Sequence, residues 1–446
     1  MKAFKAYDIR GVYNKDFDKA DVYKIGFFLP RLLKTQKILV GRDARISSPE
    51  IFEYLCKGLT DAGAIVHNAG LCTTPMIYWG TGKFGFEASV MITASHNPAE
   101  YNGLKISGKD VKPVGYDTGL SELEKMILEP VKPVAEKGYI TDFDYKNEYL
   151  DFQLAHMADH SNLNIAVDVS NGMAGLFIKD ILGPQVHYIF DEIDGRFPNH
   201  EANPLIPENV VDLQNLVKAK KADIGVIFDG DADRVMFVDE NARFISPDLI
   251  IALLGHHFLK NSQPGERVLQ DIRTSKAVGE YLRQFGVEMH MWRVGRAYAA
   301  LKLKQIDGLF GGELAGHYYF KEFYYSDSGI LAAILVLNIV AEMKKQGFKF
   351  SELMERIETY ENSGEINFKL ERKTEAMEAV KNYYFDQAKP DAFYDFDGYR
   401  LEYPDWWLNI RPSNTEPYLR FIAEAKNKEL LDKVVNQCTQ IIKSFS

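Results

Sequence analysis

The chain has 446 residues, of which 46% are hydrophobic and 26% charged, with only 17 prolines; this is the composition of an ordinary folded protein, not of a disordered or repetitive one. A formal net charge of −10 without any Lys/Arg-rich run argues against a nucleic-acid partner, so cations that meet an anionic ligand must sit locally on particular loops. Cys56, Cys72 and Cys438 are too few and too scattered for a disulfide framework and form no CxxC pair, which fits a reducing cytoplasm.

At roughly 150 residues per domain the length predicts about three domains, with room for a further small one. The N-terminal stretch MKAFKAYDIRGVY lacks the apolar core of a signal peptide. In the first unit, KILVG reads as a strand and SSPEIFEYLCKGLTDAG as an amphipathic helix with a serine cap before Pro49 and Gly63 at its end; AIVHNAG and ASVMITA read as further strands. A second unit runs from the strand LNIAVDVSNG through the helix MAGLFIKDIL to the strand ADIGVIFDG, and a third from RVLQDI through SKAVGEYLRQFG to GLFGGELAGH. The longest apolar run, GILAAILVLNIVAEM (329 to 343), is short for a bilayer span of about 20 residues and reads as a buried helix. No membrane partner is expected.

After residue 362 the pattern changes to EINFKLE, a helix at KTEAMEAVKNYYF, short aromatic strands and a last helix at KELLDKVVNQCTQIIKSF. The expected fold is therefore α/β: three consecutive α/β domains (1–142, 143–245, 246–361) with mixed, largely parallel sheets, then a small α+β domain (362–446). The loops TASHNP, DGDADR and GGELAGH each follow an apolar strand, the place where open α/β sheets bind ligands, and one central cleft would gather them.

DGDADR sets Asp229, Asp231 and Asp233 at alternate positions, and carboxylates this close repel one another unless a cation sits among them. Oxygen ligands without His or Cys favour Mg²⁺ or Ca²⁺ over zinc. An EF-hand is disfavoured although Glu240 falls at the twelfth position, because Arg234 occupies the sixth, where Gly is needed, and the flanks read as strands. The remaining alternative is a solvated acidic turn. RPSNTEPYLR collects Arg411, Ser413, Asn414, Thr415 and Arg420, donors suited to a phosphate monoester, against the plainer reading of a turn with a surface ion pair. GGELAGH offers Glu313 and His317 for sugar hydroxyls, a weak signal alone. Ser95 lies outside any GxSxG elbow, and on an extended backbone the neighbouring side chains diverge, so His96 is expected to be poorly placed as its base. Lys105 follows ten residues later, too far for sequence to prove contact.

TASHNP, DGDADR, GGELAGH and RPSNTEP in this order, with KAYDIRG near the start, resemble the α-D-phosphohexomutase family, of the bacterial phosphomannomutase/phosphoglucomutase type. The resemblance covers nearly the whole chain and implies four domains around a central cleft. It implies that Ser95 carries a transferable phosphoryl group, with Asp229, Asp231 and Asp233 holding Mg²⁺ against it. It implies that Glu313 and His317 contact the sugar, that Arg411, Ser413, Asn414, Thr415 and Arg420 cradle the phosphate not being transferred, and that Tyr7, Arg10, His96, Lys105 and Arg234 line the reaction centre. Ala315 stands where relatives carry a serine, and Arg273 and Arg296 where they often carry a lysine or arginine and a histidine.

The expected activity is reversible interconversion of hexose 1-phosphate and hexose 6-phosphate (glucose, mannose or both), through phosphoserine and a hexose 1,6-bisphosphate, by a cytoplasmic monomer or homodimer. Sequence does not choose between Lys105 and His96 for the proton. Phosphoglucosamine mutase is the nearest rival, though its sugar loop carries Gln where this chain has Leu314; a Mg²⁺-dependent sugar-phosphate phosphatase and a non-catalytic sensor are further alternatives.

Overall fold

The computed structural model describes residues 2–260, 262–413 and 418–445. Its strands form four sheets. In the first, the order is Ile9–Val12, Tyr101–Gly108, Ala88–Ile92, Lys37–Arg42, Ile65–Leu71 and Ile140–Asp142. Lys37–Arg42 pairs in parallel with both Ala88–Ile92 and Ile65–Leu71, whereas Tyr101–Gly108 returns antiparallel on Ala88–Ile92.

The same order recurs in the next two sheets. In the second, Ile165–Asp168 pairs in parallel with Ile224–Phe228, and Val235–Asp239 returns antiparallel on the latter. The third has Arg267–Asp271 parallel to Phe310–Gly312, with Tyr318–Phe320 returning antiparallel. Each sheet is thus mixed, and in each the chain reverses at the carboxyl end of a parallel strand. Those three reversals are the Ser95 loop, the aspartate loop and the Glu313 loop. The expected position at strand carboxyl ends holds, and the antiparallel return adds that each loop closes a hairpin.

Burial explains the apolar strands and the long apolar helix. Ala88–Ile92, Ile224–Phe228 and Val235–Asp239 are buried at every residue, so they read as near-continuous apolar runs without alternation, with Ser89 and Asp239 as buried polar exceptions. The helix Gly329–Lys345 is buried continuously from Gly329 to Leu337, and the Ser328 side chain caps it by accepting from the Leu331 N–H. Among the described residues, no helix is long and apolar enough to cross a membrane. One local expectation fails at the helix Ser48–Asp61. Ser47 occupies the cap position but makes no capping bond; its Oγ accepts from Asn102, as does that of Ser48, which also donates to Asp43. Tertiary partners have taken the hydroxyls that a local rule would assign to the helix end.

The last unit is an antiparallel sheet covered by the helices Lys373–Gln387 and Lys428–Lys443. Arg400 fastens it to the third unit. Its guanidinium stacks 3.7 Å from the Trp407 ring and donates to the carbonyls of Ile272 and Thr274. Glu424, 4% exposed, accepts from Ser275 across the same junction and from Trp407 and Asn362.

Burial, with Asp248 adding to it, pushes the Glu424 carboxyl up to about 7 from 4.5. The folded protein then binds this proton more tightly than the unfolded chain, so the group's contribution is full below about 4.5 and is lost as pH rises through about 7. Glu424→Gln is expected to flatten the fall in melting temperature between about pH 5 and pH 8, an effect on the order of 3 kcal/mol at the upper end. Parallel thermal melts check this. Equal slopes for the two proteins would refute it.

Candidate active site

Ser95 is 1% exposed and has a φ of 52°, in the left-handed region. The expectation of diverging neighbours assumed an extended backbone, and it fails here for that reason. The left-handed turn carries both side chains to one side, leaving Ser95 Oγ 3.2 Å from His96 Nδ1. Ser95 Oγ also donates to Asp229 Oδ2 at 2.9 Å, across the junction of the first and second units.

Asp229, Asp231 and Asp233 are fully buried, and one oxygen from each lies within 4.8 Å of the others. Burial, reinforced by Asp233 and Asp231, raises the Asp229 carboxyl well above the usual carboxylate range. Thr74 donates to Asp231, and Lys105 Nζ donates to Asp231 at 2.7 Å and to Asp233. The hairpin register explains Lys105: it pairs opposite Met91, which returns it to the end of the sheet where Ser95 stands. Burial works to lower the Lys105 ammonium, but Asp231 and Asp233 outweigh it and raise it above its ordinary value. Asp231 Oδ1 and Asp233 Oδ1 are buried and receive no hydrogen bond among the described residues. Two orphaned carboxylate oxygens beside a third buried aspartate fit a hard divalent cation, since oxygen ligands of this charge are what such ions take.

Cations ring the same point. Arg10 donates to Asn97 Oδ1 at 2.8 Å and pairs with Asp8. Arg234 Nε lies 3.9 Å from Asp229 and 4.0 Å from Asp233, and donates to His317 Nε2 at 3.0 Å. Burial first, then Arg234, Arg10, Lys105 and His317, hold the His96 imidazole well below its ordinary value.

The third hairpin lies beside this cluster. His317 Nδ1 is 2.6 Å from Asp327 Oδ2, so with Nδ1 as donor its Nε2 is left to accept from Arg234. Glu313 accepts from the Gly295 N–H at 2.8 Å, and Ala315 is half-buried at the loop tip. Tyr7 reaches over from the first unit and donates to the Val294 carbonyl at 3.0 Å. Arg296 lies 3.3 Å from Asp327 and stacks 3.7 Å from the Tyr78 ring.

In the last unit Arg411 and Arg420 stand directly opposite each other on neighbouring strands. Like charges facing across a ladder are unfavourable, and Glu365, 3.1 Å from Arg420, offsets one of them. Arg411 is 4% exposed and its Nε finds no acceptor among the described residues; burial and then Arg273 lower its guanidinium from the ordinary value. Ser413 donates its N–H to the Tyr418 carbonyl, and Asn414 and Thr415 lie outside the described residues. Arg273 is paired with Asp271 at 2.7 Å, and with Leu314, Glu365 and Arg420 it lines a cavity of about 430 Å³ between the third and fourth units.

Family models for the phosphoglucomutase/phosphomannomutase alpha/beta/alpha domains I, II and III match residues 1–130, 141–242 and 246–360, and the model for its C-terminal domain matches 365–441. A phosphomannomutase of Escherichia coli is 35% identical over 443 residues, covering 96% of this chain and 95% of that one. The chain belongs to the phosphoglucomutase/phosphomannomutase family. A phosphoglucomutase of Neisseria gonorrhoeae is 32% identical, over 99% of this chain and 96% of that one. A solved family structure from Burkholderia thailandensis superposes with a TM-score of 0.88 at 28% identity, covering 99% of this chain and 97% of that one.

The protein is therefore a mutase acting on phosphosugars. Three residues of this mutase's site escaped sequence reasoning. Thr74, Asn97 and Asp327 hold Asp231, Arg10 and His317 respectively. Asn97 sits inside TASHNP and was open to notice. Thr74 opens a helix and Asp327 lies in the two-residue strand Ser326–Asp327, and neither carries a local signal.

Proposed function

We propose that the chain interconverts hexose 1-phosphate and hexose 6-phosphate by way of phospho-Ser95 and a hexose 1,6-bisphosphate. The observation that carries this reading is the 2.9 Å contact of Ser95 Oγ with Asp229, at the meeting of a buried carboxylate triad and four basic side chains, Arg10, His96, Lys105 and Arg234. A divalent cation held by Asp229, Asp231 and Asp233 with the phosphorylated Ser95, for which Mg²⁺ is the fitting ion, would supply charge neutralisation to the transferring oxygens.

The chain's own groups do the rest. In the forward step the bond between phosphorus and the Ser95 oxygen breaks, and a new one forms to the free sugar hydroxyl. The hydroxyl proton leaves to a base, and the geometry favours His96, beside Ser95 Oγ, over Lys105, which is engaged as a cation by two carboxylates. After the bisphosphate reorients, Ser95 takes back the other phosphoryl group and the product leaves. Arg10, Lys105 and Arg234 offset the negative charge of the phosphoserine. Glu313 and His317 are assigned to sugar hydroxyls. Arg411, Ser413 and Arg420, with Asn414 and Thr415, are assigned to the distal phosphate, and Arg273 lines the adjoining cavity.

Phosphorus NMR of glucose, mannose and glucosamine 1-phosphates with a trace of hexose 1,6-bisphosphate tests the reading. Conversion to the 6-phosphates that stops on chelation, with phosphate mapped to Ser95, is the expected result. Release of inorganic phosphate without isomerised sugar, or an unphosphorylated Ser95 during turnover, would refute it. For the distal cradle, Arg411→Ala is expected to raise KM by about 10- to 100-fold, the worth of one charge-assisted contact, with a smaller change in kcat. Unchanged KM in steady-state kinetics would remove Arg411 from that role.

A further inference from the structure

The left-handed backbone at Ser95 requires support, and one side chain outside the loop supplies it. Arg45 is 1% exposed. Its Nη1 donates to the carbonyls of Pro98 at 2.6 Å and Tyr101 at 3.0 Å, and its Nη2 to those of Ser95 at 2.8 Å and Asn97 at 2.6 Å. Four carbonyls converge on one guanidinium. Its third nitrogen, Nε, lies 3.2 Å from Asp43 Oδ2, and its face is 4.9 Å from the Phe197 ring of the second unit.

The second unit presses on this arrangement from both sides. A Cβ at Gly195 would lie 2.1 Å from the Ala44 carbonyl oxygen, and one at Gly230 would lie 2.6 Å from the Ser95 carbonyl oxygen. The Ser95 carbonyl is thus caught between Arg45 and the backbone of the aspartate loop. Such a buried fork, spread over residues 95 to 101, fixes where Ser95 Oγ points.

We infer that Arg45 is a positioning residue for the phosphoryl carrier: it touches no reacting atom, but its grip on the 95–101 carbonyls aims Ser95 Oγ at Asp229. The inference rests on the reading of Ser95 as that carrier. Lysine cannot replace the fork, because a single ammonium carries three donors on one atom and does not span four separated carbonyls.

The test compares Arg45→Lys with wild type in rapid-quench measurements of phosphoryl transfer from the prephosphorylated enzyme to hexose phosphate. Misplacing reacting atoms on the order of 1 Å costs about 100-fold in rate, and that is the expected loss in the transfer step. KM is expected to stay within about threefold because the distal cradle is untouched, and the melting temperature to fall because buried carbonyls lose their donors, so rates are compared per folded molecule well below the melt. Phe197→Leu, which removes the ring beneath the guanidinium and beside Gly230, is expected to slow the same step by several-fold and serves if Arg45→Lys does not fold. A transfer rate equal to wild type, or a loss that merely follows the folded fraction, would overturn the inference. Ser95→Ala run in parallel separates the two readings. Retained turnover there removes Ser95 as carrier, whereas an inert Ser95→Ala beside a fully active Arg45→Lys removes Arg45 alone.

Discussion

Ser95→Ala is expected to reduce hexose phosphate isomerisation by about four orders of magnitude or more, the scale on which loss of a covalent catalyst is felt. The substitution is small in every other respect. Alanine meets the same left-handed backbone requirement as serine, and the change removes one hydroxyl that donates to Asp229 and sits beside His96. Stability is expected to shift by about 1 kcal/mol, the net worth of one hydrogen bond. Added hexose 1,6-bisphosphate does not restore turnover, because the bisphosphate then has no oxygen on the protein to which it can return a phosphoryl group. Phosphorus NMR with and without the bisphosphate measures both points. Activity above a tenth of wild type would dismiss Ser95 as the carrier.

Lys105→Met is expected to move catalysis and metal affinity in opposite directions. The wild-type ammonium is buried between Asp231 and Asp233, and its removal leaves two carboxylates uncompensated, at a cost of about 3–5 kcal/mol to the metal-free protein. A site more negative by one charge attracts a divalent cation more strongly, so Mg²⁺ is expected to bind about tenfold tighter and to recover much of the lost stability. Turnover is expected to fall about 100-fold or more, because a fixed cation beside the transferring phosphoryl group is gone. Calorimetric titration with Mg²⁺, melts at graded Mg²⁺ and steady-state rates read the three effects. Weaker Mg²⁺ binding in Lys105→Met would contradict this account of the cluster.

Much of the layout was legible because function and fold leave different marks. Apolar strands buried on both faces stand out as near-continuous runs, and the polar loops that follow them stand out by contrast, so the carboxylate triad and the arginine-bearing turn could be located without coordinates. Pairing register was not legible. Nothing in YNGLK says that Lys105 returns opposite Met91, or that Arg411 faces Arg420, since register is settled by the whole sheet. Backbone handedness was hidden for a similar reason. Ser95 has its left-handed φ in a loop whose carbonyl is held by Arg45, fifty positions earlier, and that turn reverses the expectation drawn for His96. Supporting residues such as Thr74 and Asp327 act at separations of 157 and 10 positions, within segments that look like ordinary helix and strand ends.

The repeated hairpin plan has a consequence for how the molecule matures. Ser95, the carboxylate triad and His317 each belong to a different sheet's loop, and the links among them, Ser95 with Asp229 and Arg234 with His317, all cross from one sheet's loop to another's. A chain in which only the first sheet has formed has Ser95 beside His96 but lacks the three aspartates of the second sheet's loop and the His317 of the third. On the proposed reading, chemistry waits for assembly, because Ser95, the aspartates and His317 meet only when three separately formed sheets have come together.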